Sequence, residues 1–259
     1  MKNPLSKTIF ITGATSGIGK ASAILFAKRG YNVIIAGRRK ERLTNLKDKL
    51  QKKYATNVAS LCFDIRKKEE VKKAWNRLDS SWKKIDILLN NAGLAKGLTP
   101  IHKGKLNDWE QMIDTNIKGL LYITRLVSPV MVKANKGHII NICSTAGHEV
   151  YPNGNVYSGT KFAVDALTKS MRLDLHKFGL RVSQVSPGHV ENTEFAKVRF
   201  NGNDKKSKIY EDFTPLSSKD VAEIILFIAS RKKHINIQDI LVMGSQQASS
   251  NMIDRSGRI

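Results

Sequence analysis

The chain has 259 residues, an apolar fraction of 41% and a charged fraction of 25%, which suits a globular protein with one large domain and a buried core. No apolar run approaches the roughly 20 residues that a membrane-spanning helix needs, and the chain start lacks the features of a secretory signal. The two cysteines form no CxxC pair and no metal-ligand spacing with the six histidines. We therefore expect a reduced, cytoplasmic protein with no metal site.

The net charge of +22 is the unusual bulk property, because such a balance is typical of proteins that bind nucleic acid or anionic surfaces. Residues 37–84 carry 16 Lys and Arg against 6 Asp and Glu. These charges are interleaved within helical patterns, and no zinc-finger spacing or RNA-binding signature accompanies them. The distribution favours a lysine-rich solvated surface over a nucleic-acid-binding face.

Short apolar, β-branched segments alternate with helical patterns along the chain. The strand patterns cover residues 8–12, 32–36, 58–62, 86–90, 138–143, 181–186 and 240–243, and the helical patterns cover 17–29, 39–53, 68–80, 107–133, 155–178 and 218–230. Strands this apolar, separated by helices, are typical of a parallel sheet covered on both faces. With right-handed crossovers, the sequence predicts an α/β fold, a Rossmann-like doubly wound sheet of about seven strands.

One long irregular segment, residues 187–217, interrupts this alternation. It is polar and contains two glycines and two prolines. A long loop within a compact domain is more often a lid or a binding loop than filler, although a disordered insertion is the alternative. Since no repeat or linker divides the chain, we expect a single domain over residues 1–259 with a substrate lid at 187–217.

A glycine-rich turn follows the first strand pattern. In TGATSGIG, Gly13, Gly17 and Gly19 are spaced G-x-x-x-G-x-G directly before a helix. Glycines let the backbone turn tightly and approach a phosphate, while the helix N-terminus offers unpaired N–H groups and positive potential. A structural turn is the alternative, but the position between first strand and first helix favours a dinucleotide site.

Two arginines, Arg38 and Arg39, follow the second strand pattern. Sites that prefer NAD commonly have an acidic residue here, which accepts a hydrogen bond from the ribose 2′-hydroxyl. A carboxylate would repel the 2′-phosphate of NADP, whereas an arginine fork can bind it. A solvated helix start is the alternative, yet the position favours NADP.

Tyr157 and Lys161 lie four residues apart in YSGTK, a spacing that places both side chains on one helix face. With 6 tyrosines and 31 lysines, about 0.7 such matches are expected by chance, so the motif alone decides nothing. Its chemistry is nonetheless suited to alcohol oxidation, which needs a base for the hydroxyl proton. A nearby ammonium, helped by an oxidised nicotinamide, favours the tyrosinate, whose ordinary pKa is about 10.

Six motifs stand in a fixed order, and through them the chain resembles the short-chain dehydrogenase/reductase family over nearly its whole length. Longer strings, among them NNAGLAKG and HINIQDILVM, are similar to a subgroup that oxidises serine and related 3-hydroxy acids with NADP. One departure is Gly159 inside the tyrosine motif, where alanine is usual in the family. The six motifs are TGATSGIG, NNAG at 90–93, Asn116 in DTNIKG, Ser144 in NICSTAG, YSGTK and SPG at 186–188.

The resemblance implies roles for individual residues. Ser144 would orient the substrate oxygen, Tyr157 would exchange the proton, Lys161 would also bind the nicotinamide ribose, and Asn116 would hold a water that links Lys161 to solvent. Family members usually form tetramers through the two long helices, here 107–133 and 155–178. The further cofactor contacts that it implies are Thr15, Ser16, Ile18, Asp64, Ile65, Asn91, Ala92, Gly93, Pro187, Gly188, Val190 and Thr193.

Together these patterns predict an NADP-dependent oxidoreductase that acts on a small 3-hydroxy acid or its carbonyl counterpart. A carboxylate substrate needs a cation, and Arg199 on the predicted lid is the candidate, with a solvated loop arginine as the alternative. Two other functions stay open at this point. One is a reductase of sugars, diketones or 3-oxoacyl groups; the other is a basic nucleotide-sensing or nucleic-acid-binding protein on the same fold.

Overall fold

The chain forms a parallel sheet with helices packed against both faces. A computed structural model describes residues 7–203 and 212–257. The strands are β1 (Thr8–Thr12), β2 (Asn32–Gly37), β3 (Val58–Cys62), β4 (Ile87–Asn90), β5 (Gly137–Ile142), β6 (Leu180–Pro187), β7 (Val190–Glu191), β8 (Leu216–Ser217) and β9 (Asp239–Val242). The helices are α1 (Gly17–Lys28), α2 (Lys40–Tyr54), α3 (Lys68–Arg77), α4 (Leu106–Ile113), α5 (Leu120–Lys133), α6 (Asn155–Leu175), α7 (Phe195–Arg199) and α8 (Ser218–Ala229).

Within the described residues, the main sheet has seven strands in the order β3-β2-β1-β4-β5-β6-β9, and every pairing is parallel. The predicted fold class is confirmed. The chain adds β2 and β3 on one side of β1 and then crosses over to add β4 on the other side. The strand order therefore reverses between β1 and β4, and ligands of such sheets bind at this switch point, beyond the carboxyl ends of the strands.

Both faces of the central strands are buried, which explains why apolar residues dominate their sequences on both faces. Successive side chains of a strand point to opposite faces. In β1, Ile9 and Ile11 pack with helices α1, α2 and α8, whereas Phe10 packs on the other face with α3, α5 and α6. Each of these three side chains is at most 1% exposed. Because these strands are so closely packed, the sheet is a rigid support for the site at its edge.

The helical stretch predicted at 107–133 is divided by a π-helical segment, Asp114–Gly119, between α4 and α5. A single-turn π segment widens the helix and is frequent at functional sites. Here it accompanies a tertiary contact of Asn116, whose Oδ1 accepts from the Leu94 N–H at 2.9 Å and whose Nδ2 donates to the Leu94 carbonyl at 2.9 Å. The apolar spacing of the sequence does not reveal this interruption.

The segment predicted as an irregular lid contains regular structure. Strands β7 and β8 pair in parallel, and α7 lies between them in the chain. The Gly188 N–H donates to the Val242 carbonyl at 2.8 Å, which anchors the start of the segment to β9. Residues 204–211 of the predicted lid lie outside the described residues. The remaining part forms a short cap attached to the sheet at its base.

Membrane-spanning helices and metal-binding clusters are both absent from the described ranges, 7–203 and 212–257. No helix there combines the length and the apolar character needed to cross a lipid bilayer. No three His, Cys, Asp or Glu side chains come together in a way that could hold a metal ion.

Candidate active site

A cavity of about 370 Å³ opens at the carboxyl ends of β1, β4 and β5, at the switch point of the sheet. It extends from the glycine turn and the arginines after β2 to the lid segment. Of the residues predicted for the site, only Gly19 and Asn116 do not line it. Those that do are Gly13, Thr15, Ser16, Gly17, Ile18, Arg38, Arg39, Asp64, Ile65, Asn91, Ala92, Gly93, Ser144, Tyr157, Lys161, Pro187, Gly188, Val190, Thr193 and Arg199.

The glycine turn needs its glycines for two different reasons. Gly13 and Gly17 have φ angles of 67° and 52°, which side chains rarely adopt. Gly19 is required by packing instead, since a Cβ there would lie 2.5 Å from Asn91 Nδ2 and from the Gly13 carbonyl oxygen. The N-cap residue of α1, Ser16, makes no side-chain hydrogen bond to the first turn. The backbone N–H groups at this end of α1 are thus suited to bind a phosphate.

The two arginines after β2 differ in their surroundings. Arg38 has a side chain that is 56% exposed and lies 4.0 Å from Asp64. Arg39 is held against the glycine turn: its Nε and NH2 donate to Thr15 Oγ1 at 3.1 and 2.7 Å, and NH2 also donates to Ser16 Oγ at 3.0 Å. Both guanidinium groups line the cavity on the side where an adenosine 2′-phosphate would lie.

The carboxylate of Asp64 is engaged by Arg66. Arg66 donates from Nε to both carboxylate oxygens at 3.0 Å and from NH2 to Oδ2 at 2.6 Å. Burial raises the pKa of Asp64, but the hydrogen bonds and charge of Arg66 outweigh burial, so that the pKa lies below its ordinary value. Asp64 and Ile65 still line the cavity, in agreement with a contact to the adenine end of a nucleotide.

Tyr157 and Lys161 meet on the buried face of α6. Lys161 Nζ donates to the Ile142 carbonyl at 3.0 Å and lies 5.8 Å from the centre of the Tyr157 ring. Burial raises the pKa of Tyr157 to about 12, against the opposing effects of a hydrogen bond with Ser144 and the charge of Arg199. Burial also lowers the pKa of Lys161. The protein by itself therefore favours the neutral phenol, a proton donor.

Ser144 and Asn116 surround this pair from neighbouring elements. Ser144 follows β5, and its hydroxyl accepts a hydrogen bond from the Ala146 N–H at 3.2 Å. Asn116 Nδ2 donates to Thr160 Oγ1 at 3.0 Å in addition to the Leu94 carbonyl, so both of its amide hydrogens have partners. Asn116 thus joins the π segment, the loop after β4 and α6 behind the Tyr157–Lys161 pair.

Arg199 lies at the end of α7 and is 8% exposed. Its Nε donates to the Gly97 carbonyl at 3.2 Å and its NH2 donates to the Tyr151 hydroxyl at 2.7 Å. The guanidinium carbon lies 5.4 Å from the centre of the Tyr151 ring and 5.6 Å from that of Tyr157. No Asp or Glu among the described residues pairs with it. A buried cation without an anionic partner, beside the reactive hydroxyl, is suited to a carboxylate ligand.

Three residues that line the cavity carry no motif that would single them out in the sequence. Tyr151 and Phe195 form the aromatic wall around Arg199, and Glu194 pairs with Arg39 and Arg42. Glu194 and Phe195 directly follow the predicted contact Thr193, in the string TEFAKVRF that is similar to the 3-hydroxy acid dehydrogenase subgroup. The hydrogen-bonding partners of Tyr151 and Glu194 lie 48 to 155 residues away in the chain.

The protein has a parallel sheet with a glycine turn at its switch point, and a buried tyrosine–lysine pair lies beside the cavity. This combination is typical of nucleotide-dependent oxidoreductases. The sequence profile of the short chain dehydrogenase family matches residues 7–204. The chain belongs to this family.

Known relatives agree in fold and in sequence. The NADP-dependent 3-hydroxy acid dehydrogenase YdfG of Salmonella typhi is 44% identical over 245 residues, covering 94% of this chain and 97% of its own. Serine 3-dehydrogenase of Agrobacterium fabrum is 43% identical and covers 94% of this chain and 96% of its own. The closed form of a serine dehydrogenase complexed with NADP+ superposes with a TM-score of 0.89 at 43% identity, over 94% of this chain and 97% of that one.

Proposed function

We propose that the protein transfers a hydride between NADP(H) and a small 3-hydroxy acid or its carbonyl counterpart. The observation that carries this proposal is the placement of Arg199, a buried cation beside the Tyr157 ring with no described carboxylate as partner. The family oxidises alcohols or reduces carbonyls, and the position of Arg199 indicates that the substrate also carries a carboxylate. The names of the relatives, which include a serine dehydrogenase, support the same class.

The cavity fits a dinucleotide with a 2′-phosphate. Gly13, Gly17 and the N-terminus of α1 would hold the pyrophosphate, because the glycines let the backbone approach it and the helix end offers N–H groups. Arg38 and Arg39 supply positive charge where β2 ends. When bound, the cofactor would accept or donate the hydride at its nicotinamide ring.

The protein's own residues would bind the substrate and move the proton. The Ser144 hydroxyl would orient the substrate oxygen. The Tyr157 hydroxyl would donate the proton during reduction, and the Tyr157 phenolate would accept it during oxidation. Lys161, held by the Ile142 carbonyl, places a positive charge close to Tyr157 in both directions. Asn116 is a positioning residue for this group because its amide fixes Leu94 and Thr160.

A substrate panel tests the proposed function. We expect NADP+ reduction, followed as NADPH absorbance, with L-serine, 3-hydroxypropionate, 3-hydroxyisobutyrate and L-allo-threonine, and little with 1,3-propanediol, which lacks the carboxylate. The same panel with NAD+ should give lower rates, because NAD+ lacks the 2′-phosphate that Arg38 and Arg39 would bind. Turnover only with sugars, diketones or 3-oxoacyl thioesters would contradict the 3-hydroxy acid assignment.

We also propose a cytoplasmic homotetramer that assembles through α4, α5 and α6. Large apolar side chains on these helices are exposed in the single chain, including Ile113, Leu121, Phe162 and Leu173. Large apolar side chains exposed on neighbouring helices would be buried in such an interface. The free thiols Cys62 and Cys143 support a reducing compartment. Sedimentation velocity should give the mass of four chains; a monomer at micromolar concentration would contradict the assembly.

A further inference from the structure

Among the described residues of the lid, the Glu194 carboxylate reaches the cofactor site. Glu194 lies directly before α7, and its Oε2 accepts from Arg39 NH1 at 2.5 Å while its Oε1 accepts from Arg42 NH1 at 2.7 Å. Arg39 is the N-cap residue of α2, and Arg42 lies in the first turn of this helix. The ion pairs therefore connect the lid with the place where the 2′-phosphate of NADP would bind.

Arg39 has little capacity left for a phosphate in this arrangement. Its Nε donates to Thr15 and its NH1 donates to Glu194. Its NH2 donates to both Thr15 and Ser16. A guanidinium binds phosphate best through two parallel N–H groups on one edge. Four of its five N–H groups donate to these acceptors, so a phosphate that binds through two of them must displace at least one acceptor. Among these acceptors only Glu194 carries a charge that the phosphate repels.

Glu194 is a strong competitor because it is held as an anion. Burial tends to raise the pKa of Glu194, but the hydrogen bonds from Arg42 and Arg39 outweigh burial and the pKa is about 2. The carboxylate is therefore ionised at neutral pH. Arg42 offers a second partner, which the carboxylate can keep while it gives up Arg39.

We propose that Glu194 is a specificity-determining residue that competes with the 2′-phosphate of NADP for Arg39. The displacement leaves the start of α7, the helix that carries Arg199, held to α2 by Arg42 alone among the described ion pairs, so that the lid responds to the phosphate that distinguishes NADP from NAD. This inference rests on the proposed use of NADP. Under this proposal Glu194, and not only Arg38 and Arg39, affects the choice between NADP and NAD.

The first test compares cofactor binding in two matched variants. Glu194→Gln removes the charge but keeps the shape, and Glu191→Gln removes a charge three residues earlier, where the carboxylate accepts only from Asn192 among the described contacts. Titrations of protein-bound NADPH and NADH fluorescence give the dissociation constants. We expect Glu194→Gln to bind NADPH about three- to tenfold more tightly, the effect of one partly exposed charge pair, with NADH changed less than about twofold. Glu191→Gln should resemble the wild type.

The second test uses the unmodified protein and separates the phosphate from the rest of the cofactor. Hydrogen exchange of the backbone amides in 194–199 is measured with 2′,5′-ADP and with 5′-AMP. We expect faster exchange with 2′,5′-ADP, which carries the phosphate, and no change with 5′-AMP.

The outcomes distinguish this inference from the function on which it rests. An unchanged ratio of NADPH to NADH affinity in Glu194→Gln, or an equal loss for both, would overturn the competition. Slower or unchanged exchange with 2′,5′-ADP would overturn the coupling to the lid. A wild-type protein that binds neither NADPH nor 2′,5′-ADP would refute the use of NADP itself.

Discussion

Replacing Tyr157 with phenylalanine should lower kcat with a 3-hydroxy acid and NADP+ by about 10²- to 10⁴-fold, the usual contribution of a general acid–base group. The ring should stay in place because it packs edge-on against Phe195, with ring centres 5.6 Å apart. NADPH affinity should therefore change much less than turnover. The measurement is steady-state kinetics combined with a fluorescence titration of NADPH.

Tyr122→Phe is a matched control, because it removes a phenolic hydroxyl from α5, outside the residues that line the cavity. It should keep wild-type turnover.

The pH profile adds a second readout: in reduction Tyr157 is the acid, so activity should persist below the pKa of Tyr157 and fall as pH rises through it. Since burial raises that pKa to about 12, carbonyl reduction should show no loss from Tyr157 up to about pH 9. Wild-type turnover by Tyr157→Phe would refute the mechanism.

Replacing Arg199 with glutamine should lower kcat/KM for 3-hydroxy acids by roughly 10- to 100-fold, mainly through KM, since a hydrogen bond to a charged group contributes about 1.5–3 kcal/mol. The weak reaction of 1,3-propanediol should change by less than about threefold, because this substrate has no carboxylate to bind. Arg199→Lys should retain part of the activity, since it keeps the charge but loses the planar fork.

The control for Arg199 lies on the same short helix. Lys197 is exposed on α7, and Lys197→Gln removes one positive charge without altering the buried contacts to Gly97 and Tyr151. Its kinetics should match the wild type with every substrate. An equal loss for 3-hydroxypropionate and 1,3-propanediol in Arg199→Gln would show that the arginine acts on Tyr157 or on the lid rather than on a substrate carboxylate.

Much of the fold was predictable because it depends on local patterns. Strands β1, β4 and β5 are buried on both faces, and that burial is visible as short, mostly apolar segments between helical periodicities. The glycine turn is equally local: Gly13 and Gly17 adopt positive φ values within one strand–helix junction. Tyr157 and Lys161 share a face because one helix spaces them by four residues.

Other features depend on contacts between distant parts of the chain. The π segment at Asp114–Gly119 accompanies the contact of Asn116 with Leu94, 22 residues away. The pairing of Glu194 with Arg39 joins residues 155 positions apart, and no periodicity connects them.

By itself, then, the sequence determined the parallel α/β fold, the nucleotide turn and the tyrosine–lysine pair, because each is specified by spacing within one element or one junction. Only the tertiary structure decided that Arg199 is buried beside Tyr157 and that Glu194 reaches the arginines of the cofactor site. Both depend on where the lid segment packs, and that packing is set by contacts with strands and loops far away in the chain.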